Sequence, residues 1–103
     1  MTPVTLVFVN GRIHTGDVRR PVADAIAVAG RELALVGSSA EVRKLAGASA
    51  RVVDLRGATV LAVPEDVVLR RGGAASFVVL HPGDAYAEAL RIIDGVVIAA
   101  KPS

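Results

Sequence analysis

The stretch Val52–Gly73, VVDLRGATVLAVPEDVVLRRGG, carries two strongly apolar runs on either side of a turn at Pro64. Glu65 and Asp66 make that turn polar. The first run ends in TVLAV and FVVL follows further on, both continuously apolar, as strands covered on both faces are. The chain therefore reads here as strand, turn and strand, and the rest of the sequence repeats that style. Its apolar runs are short, rich in Val and Ile, and punctuated by glycine every dozen residues or so, which favours strands over helices.

Working outward, three segments share one design: VFVNGRIHT around Asn10-Gly11, IAVAGRELALVG around Gly30-Arg31, and RIIDGVVIAA around Asp94-Gly95. Asn-Gly and Asp-Gly suit tight hairpin turns because Gly has no Cβ to clash at positive φ and Asn or Asp tolerate that region best. All three are expected to be hairpins. Further strands are expected at Arg51 to Leu55, Ala58 to Val63, Val67 to Arg70 and Ser76 to Leu80. In GSSAEVRKLAG, Ser38 and Glu41 have capping-box spacing, and Gly47 offers a left-handed exit, so a short helix is expected there. A second helical turn is expected from Asp84 through Leu90. A small, mainly β, two-sheet sandwich with one or two short helices accommodates all of it.

The 103 residues fit one domain, which at this size buries roughly 65% of its unfolded surface. There is no cysteine, so neither a disulfide frame nor a thiolate metal site, and MTPVTLVFVNG lacks the marks of a secretory signal. A cytoplasmic location is the expectation. The longest stretch free of Asp, Glu, Lys and Arg, Gly72 to Gly83, is far shorter than the roughly 20 apolar residues of a spanning helix. Twelve basic residues exceed ten acidic ones by two and lie in scattered pairs, Arg19-Arg20, Arg43-Lys44 and Arg70-Arg71. With Phe8, Phe77 and Tyr86 the only aromatics, neither a phosphate-tracking stripe nor a stacking platform for nucleic acid is present. The apolar fraction of 52% and mean hydropathy of +0.53 are high for a small soluble domain. Alanine and valine supply much of that count; an apolar face meant for a partner would explain it equally.

Catalytic chemistry is poorly signalled. Zinc hydrolysis on a strand calls for two histidines one residue apart, so that both nitrogens share a face. The two histidines here, His14 and His81, are 67 positions apart. Glu65 and Asp66 are adjacent and point to opposite sides of an extended chain, so they do not flank one bond. Ser38 and Ser39 serve better as helix caps than as nucleophiles, since no histidine lies near them in sequence. RRGGAAS lacks the spacing and the lysine of a P-loop, leaving Gly72 and Gly73 as turn glycines.

From Leu6 to Ala62 the sequence resembles the N-terminal segment of metal-dependent amidohydrolases, in the order Asn10-Gly11 turn, AIAVAGRELALVG, capped helix, VVDLRGATVL. From 67 to 103 it resembles the C-terminal segment, with Ser76 where aspartate is usual and His81 near another customary aspartate. In that family the two segments form a composite β-sandwich beside a metal-bearing barrel inserted between them. The resemblance implies that residues 1–62 and 67–103 are those two segments, joined by a turn at 63–66 in place of a barrel of roughly 250 residues. The family continues after TVL with Pro-Gly and a metal-binding His-x-His; this chain has Ala62-Val63-Pro64-Glu65-Asp66. All functional residues of the family sit on the barrel, so no catalytic, cofactor-binding or metal residue carries over to any position here. The expectation is a non-catalytic, self-associating domain. The alternative is an accessory subunit that completes a separately encoded barrel, a hydrolase of non-peptide carbon-nitrogen bonds; a module binding a small molecule or protein is a third.

Overall fold

The structure, a computed structural model, describes residues 3–48, 50–64, 66–81 and 84–99. The elements are β1 (Leu6–Val9), β2 (Arg12–His14), β3 (Val22–Ala23), β4 (Ala25–Ala29), β5 (Glu32–Gly37), α1 (Ser39–Leu45), β6 (Arg51–Asp54), β7 (Thr59–Ala62), β8 (Phe77–His81), β9 (Asp84–Ile93) and β10 (Val96–Ala99). They make two sheets, one of four strands in the order β5-β4-β1-β6 and one of six in the order β10-β9-β8-β7-β2-β3. The two-sheet reading of the sequence therefore holds, with one helix among the described residues.

Alternation sets the core. In the four-stranded sheet Leu6, Phe8, Ile26, Val28 and Leu33 face inward, where they meet Ile13, Val60, Ala62, Phe77, Val79 and Ile92 of the six-stranded sheet. Phe8 and Phe77 join the layers edge to face, their centroids 5.3 Å apart at 86°. On the outer side of the four-stranded sheet, Val7, Val9, Ala25 and Ala27 are covered by α1 through buried Val42. That double cover is why β1 and most of β4 are apolar without a break.

The Asn10-Gly11 turn does not make a hairpin. Strand β1 pairs with β4 and β6, while β2 pairs with β3 and β7 in the other sheet, so the turn carries the chain across the sandwich. Asn10 alone takes positive φ, at 59°. A second crossing runs alongside: β6 is parallel to β1, β7 is parallel to β2, and the corner between them is left-handed at Arg56 and Gly57. The corners are tied by Leu55 N–H to Val9 O at 2.8 Å, Gly57 N–H to Asn10 O at 2.7 Å, and Arg12 N–H to Ala58 O at 2.9 Å. A Cβ at Gly11 would press on the Leu55 side chain, whose end would have to move aside.

The other two hairpins form as expected, β4 with β5 around Gly30 (φ 62°) and β9 with β10 around Asp94 (φ 47°) and Gly95 (φ 79°). Three expectations fail. Residues from Asp84 to Leu90 belong to strand β9, because backbone pairing with β8 outweighs a weak cap signal. Val67 to Arg70 is irregular, its buried Leu69 plugging the core from a loop. The helix leaves through Ala46 in extended conformation, φ −71° and ψ 116°, without a left-handed glycine at 47.

The turns at Gly30 and Gly95 meet. Gly95 N–H donates to Ala75 O and Ala75 N–H to Arg31 O, each at 2.9 Å. A Cβ on Gly95 would overlap the Gly30 carbonyl oxygen. Replacing Gly95 by alanine is therefore expected to cost about 2–5 kcal/mol, from left-handed strain plus forced displacement of backbone. Gly57→Ala has the strain and open space around it, so it should cost only about 1–2 kcal/mol. Urea unfolding of the two variants measures the difference, and equal losses would show that the two turns do not lock one another.

Candidate functional site: the outer face at the joint

The outward-facing residues of the six-stranded sheet form a surface that α1 does not cover. Cross-strand register lines up Val22, His14, Leu61, Val78, Arg91 and Ile98 across it, with Leu80 and Glu88 in the next row. Val78 and Leu80 are buried, whereas Val22 and Ile98 are each 47% exposed. Glu88 and Arg91 make a paired fork, Arg91 Nε donating to Glu88 Oε2 at 3.1 Å and Arg91 Nη2 to Glu88 Oε1. The hydrogen bonds and charge of Glu88 hold Arg91 more firmly protonated than usual. Being half-exposed, the pair adds little to stability and more to the shape of the surface.

A cavity of about 220 Å³ opens on this face where β7 ends, lined by Leu61, Ala62, Val63, Pro64 and Val78 with the Glu88–Arg91 fork. It lies at the turn through Pro64. Strand β7 passes into β8 as its antiparallel neighbour, Ala62 beside Phe77 and Val60 beside Val79, so the sheet is continuous through the joint.

The histidines are not neighbours in the sheet. His14 is exposed on β2 and aligns with Leu61 and then Val78, while His81 ends β8 three residues further along with β7 between. Two strand spacings and three residues of rise put their backbones roughly 14 Å apart. Among the described residues no three His, Asp or Glu side chains gather as metal ligands. Glu65 lies outside the described residues, and Asp66 is exposed beside the turn. Gly72 (φ 83°) and Gly73 shape a loop whose backbone lies against β5, with Gly72 N–H to Leu33 O and Leu33 N–H to Gly73 O, each at 2.8 Å.

The serines are structural. Ser38 Oγ accepts from Glu41 N–H at 3.1 Å and donates to Glu41 Oε1 at 3.0 Å, and Ser38 N–H donates to the same carboxylate at 3.3 Å. Ser39 Oγ accepts the Asn10 N–H at 3.0 Å, pinning the helix start to the first corner. Asn10 Nδ2 in turn donates to Asp54 Oδ1 at 3.3 Å, and Arg56 N–H to the same oxygen at 2.9 Å. These bonds, the Arg56 N–H first, lower the Asp54 carboxyl below its ordinary value. Sequence spacing revealed the cap but not the link from helix to corner, which joins residues 29 apart.

No protein-family model matches the chain. Over 56 residues, 54% of its length, it is 39% identical to an N-substituted formamide deformylase of Arthrobacter pascens, and it spans only a tenth of that enzyme. A crystallised protein of Bacillus thuringiensis superposes with a TM-score of 0.53 and 27% identity, over 57% of this chain and 78% of that one. An uncharacterised metal-dependent hydrolase of Pyrococcus furiosus gives a TM-score of 0.47 and 23% identity, over 55% of this chain and 12% of that one. The sequence likeness to amidohydrolases thus stands as a likeness over about half of the chain, whose fold is a small two-sheet β domain. No helix among the described residues is long and apolar enough to cross a membrane.

Glu41 gives the helix start a pH signature. Its carboxyl is held below the ordinary 4.5, chiefly by the Ser38 hydroxyl and then by the Ser38 N–H. A carboxyl more acidic in the folded chain contributes stability that is complete above its unfolded pKa and is lost as pH falls through the lowered folded value. Ser38→Ala is expected to cost about 1 kcal/mol at pH 7. Protonating Glu41 removes part of the same box, so the gap between wild type and variant should narrow in strong acid. Urea melts at pH 7 and well below pH 4.5 check this; a gap independent of pH would refute the coupling.

Proposed function

We propose that this amidohydrolase-like sandwich is a non-catalytic domain, residues 1–62 and 67–103 being the two composite segments joined at 63–66, and that it self-associates. The observation that carries the reading is the β7–β8 pairing, which closes the sheet where the family's catalytic barrel would enter. In this chain only residues 63–76 lie between those two strands, too few for a barrel of roughly 250 residues.

Self-association has a surface to use. Strand β10 ends the six-stranded sheet with Val96, Val97 and Ile98 exposed by 62%, 44% and 47%, and carries no charged residue from Val96 to Ala99. Other edges are better protected: β3 has two residues, β6 carries Arg51 and Asp54, and β5 is covered by the backbone of residues 72–75. An apolar, uncharged edge is the one most prone to add another strand. Two copies joined antiparallel at β10 would satisfy both edges around a two-fold axis.

The second reading, an accessory subunit for a separately encoded barrel, is favoured by the similarity to a deformylase and by the apolar face at the joint. On that reading the partner covers Leu61, Val78 and Ile98, and activity on carbon-nitrogen bonds belongs to the assembly.

The purified chain is expected to hold less than one equivalent of zinc and to leave N-substituted formamides intact. Stoichiometric zinc with turnover would overturn the non-catalytic reading. In sedimentation the chain is expected to run as a dimer and Ile98→Lys as a monomer; a monomeric wild type at high concentration would remove self-association.

A further inference from the structure

The paired arginines that are far apart in sequence come together in space. A cavity of about 370 Å³ is lined by Arg19 and Arg20 from one loop, Arg70 and Arg71 from another, with Thr15, Asp17, Val36 and Leu69. Its lining residues thus include four arginines and one aspartate, and the Arg20 guanidinium also lies near Gly37, where the Glu41 carboxylate feels its charge. Among the described residues no ion pair and no hydrogen bond engages any of the four guanidiniums, the Glu88–Arg91 fork being the ion pair found elsewhere. Arg19, Arg70 and Arg71, with Arg20 only loosely offset by Glu41, repel each other around one concavity, and an anion placed among them relieves that repulsion.

The backbone that presents them is fixed. Thr15 is the buried polar residue of the described structure, 2% exposed, and its hydroxyl donates to Arg20 O and accepts Asp17 N–H at 3.0 Å. Asp17 Oδ1 accepts Arg19 N–H at 2.9 Å, and Arg20 N–H reaches Asp17 O at 3.2 Å. The two loops are joined directly, Leu69 N–H donating to Thr15 O at 2.7 Å, and the second is closed by Gly73 N–H to Arg70 O at 2.9 Å. Asp17 is thereby occupied with its own loop, which leaves the guanidinium forks for a ligand. Such forks match the paired oxygens of phosphate and carboxylate groups.

We infer that this cavity binds a small molecule with two or more negative charges borne on phosphate or carboxylate groups. Its volume lies near the lower end of the ~300–1,000 Å³ of small-molecule sites, and it is concave, which suits a compact ligand better than a length of nucleic acid or acidic polypeptide. The site lies apart from the joint and does not depend on how the domain associates.

Calorimetric titration in 150 mM sodium chloride with pyrophosphate and with citrate tests it, the two probes separating phosphate from carboxylate preference. Saturable one-to-one binding of either is expected. Arg19→Gln with Arg71→Gln, one residue from each loop, should weaken it about tenfold or more, since charge-assisted hydrogen bonds are lost on both sides. Arg12→Gln with Arg51→Gln removes the same charge away from the cavity and should leave it within about twofold. Thermal melts of the free variants confirm that both pairs fold. Absence of binding by either probe, equal weakening by both variant pairs, or binding of poly-glutamate with neither small anion would overturn the inference.

Discussion

The edge-on contact of Phe8 with Phe77 is the constraint from which the sandwich follows. Each ring comes from the middle of its own sheet and from opposite ends of the sequence, and both are fully buried. A chain with only three aromatic residues has few ways to fill the space between layers about 10 Å apart, and two phenylalanines meeting at the centre do so. Bringing them together requires β1 and β2 to belong to different sheets, and the paired corners at Asn10 and at Arg56-Gly57 meet that need. Because the two corners bond to each other, neither sheet can form its register without the other.

The strand content and the helix cap were legible because both are local. Glu41 stands three residues from Ser38, and short runs of Val and Ile between glycines point to strands whatever surrounds them. The topology was less so. Asn10-Gly11 and Asp94-Gly95 carry the same turn chemistry, yet one crosses between sheets and the other closes a hairpin. A turn dipeptide fixes local dihedral angles and says nothing about which strand will receive the chain afterwards. Residues 84–90 show the same limit in reverse. Asp84 and the alanines after it satisfy a helix start, but the free edge of β8 supplied backbone pairing along that stretch.

Function was legible mainly as a misfit. The match to a deformylase covers little more than half of this chain and a tenth of the enzyme, so what the two share is one short segment of sequence. The separation of His14 from His81 by an intervening strand agrees with the lack of any short histidine motif in sequence. The arginine cavity was the reverse case. Arg19-Arg20 and Arg70-Arg71 read as scattered surface charge because fifty residues separate them, and only the bond between Leu69 and Thr15 makes them one feature. Nothing in either segment alone encodes that proximity.

Ala62 and Phe77, on either side of the joint, are cross-strand partners in one sheet. Neighbouring strands lie about 4.8 Å apart, so the chain leaves and re-enters the sandwich at practically one point. A segment placed between those stubs need only have its own two ends close together for the β7–β8 register to persist, although Leu69 and Ala75 of the present segment also serve the core. Lengthening or shortening the chain at this port is therefore a small mechanical event for the paired strands themselves.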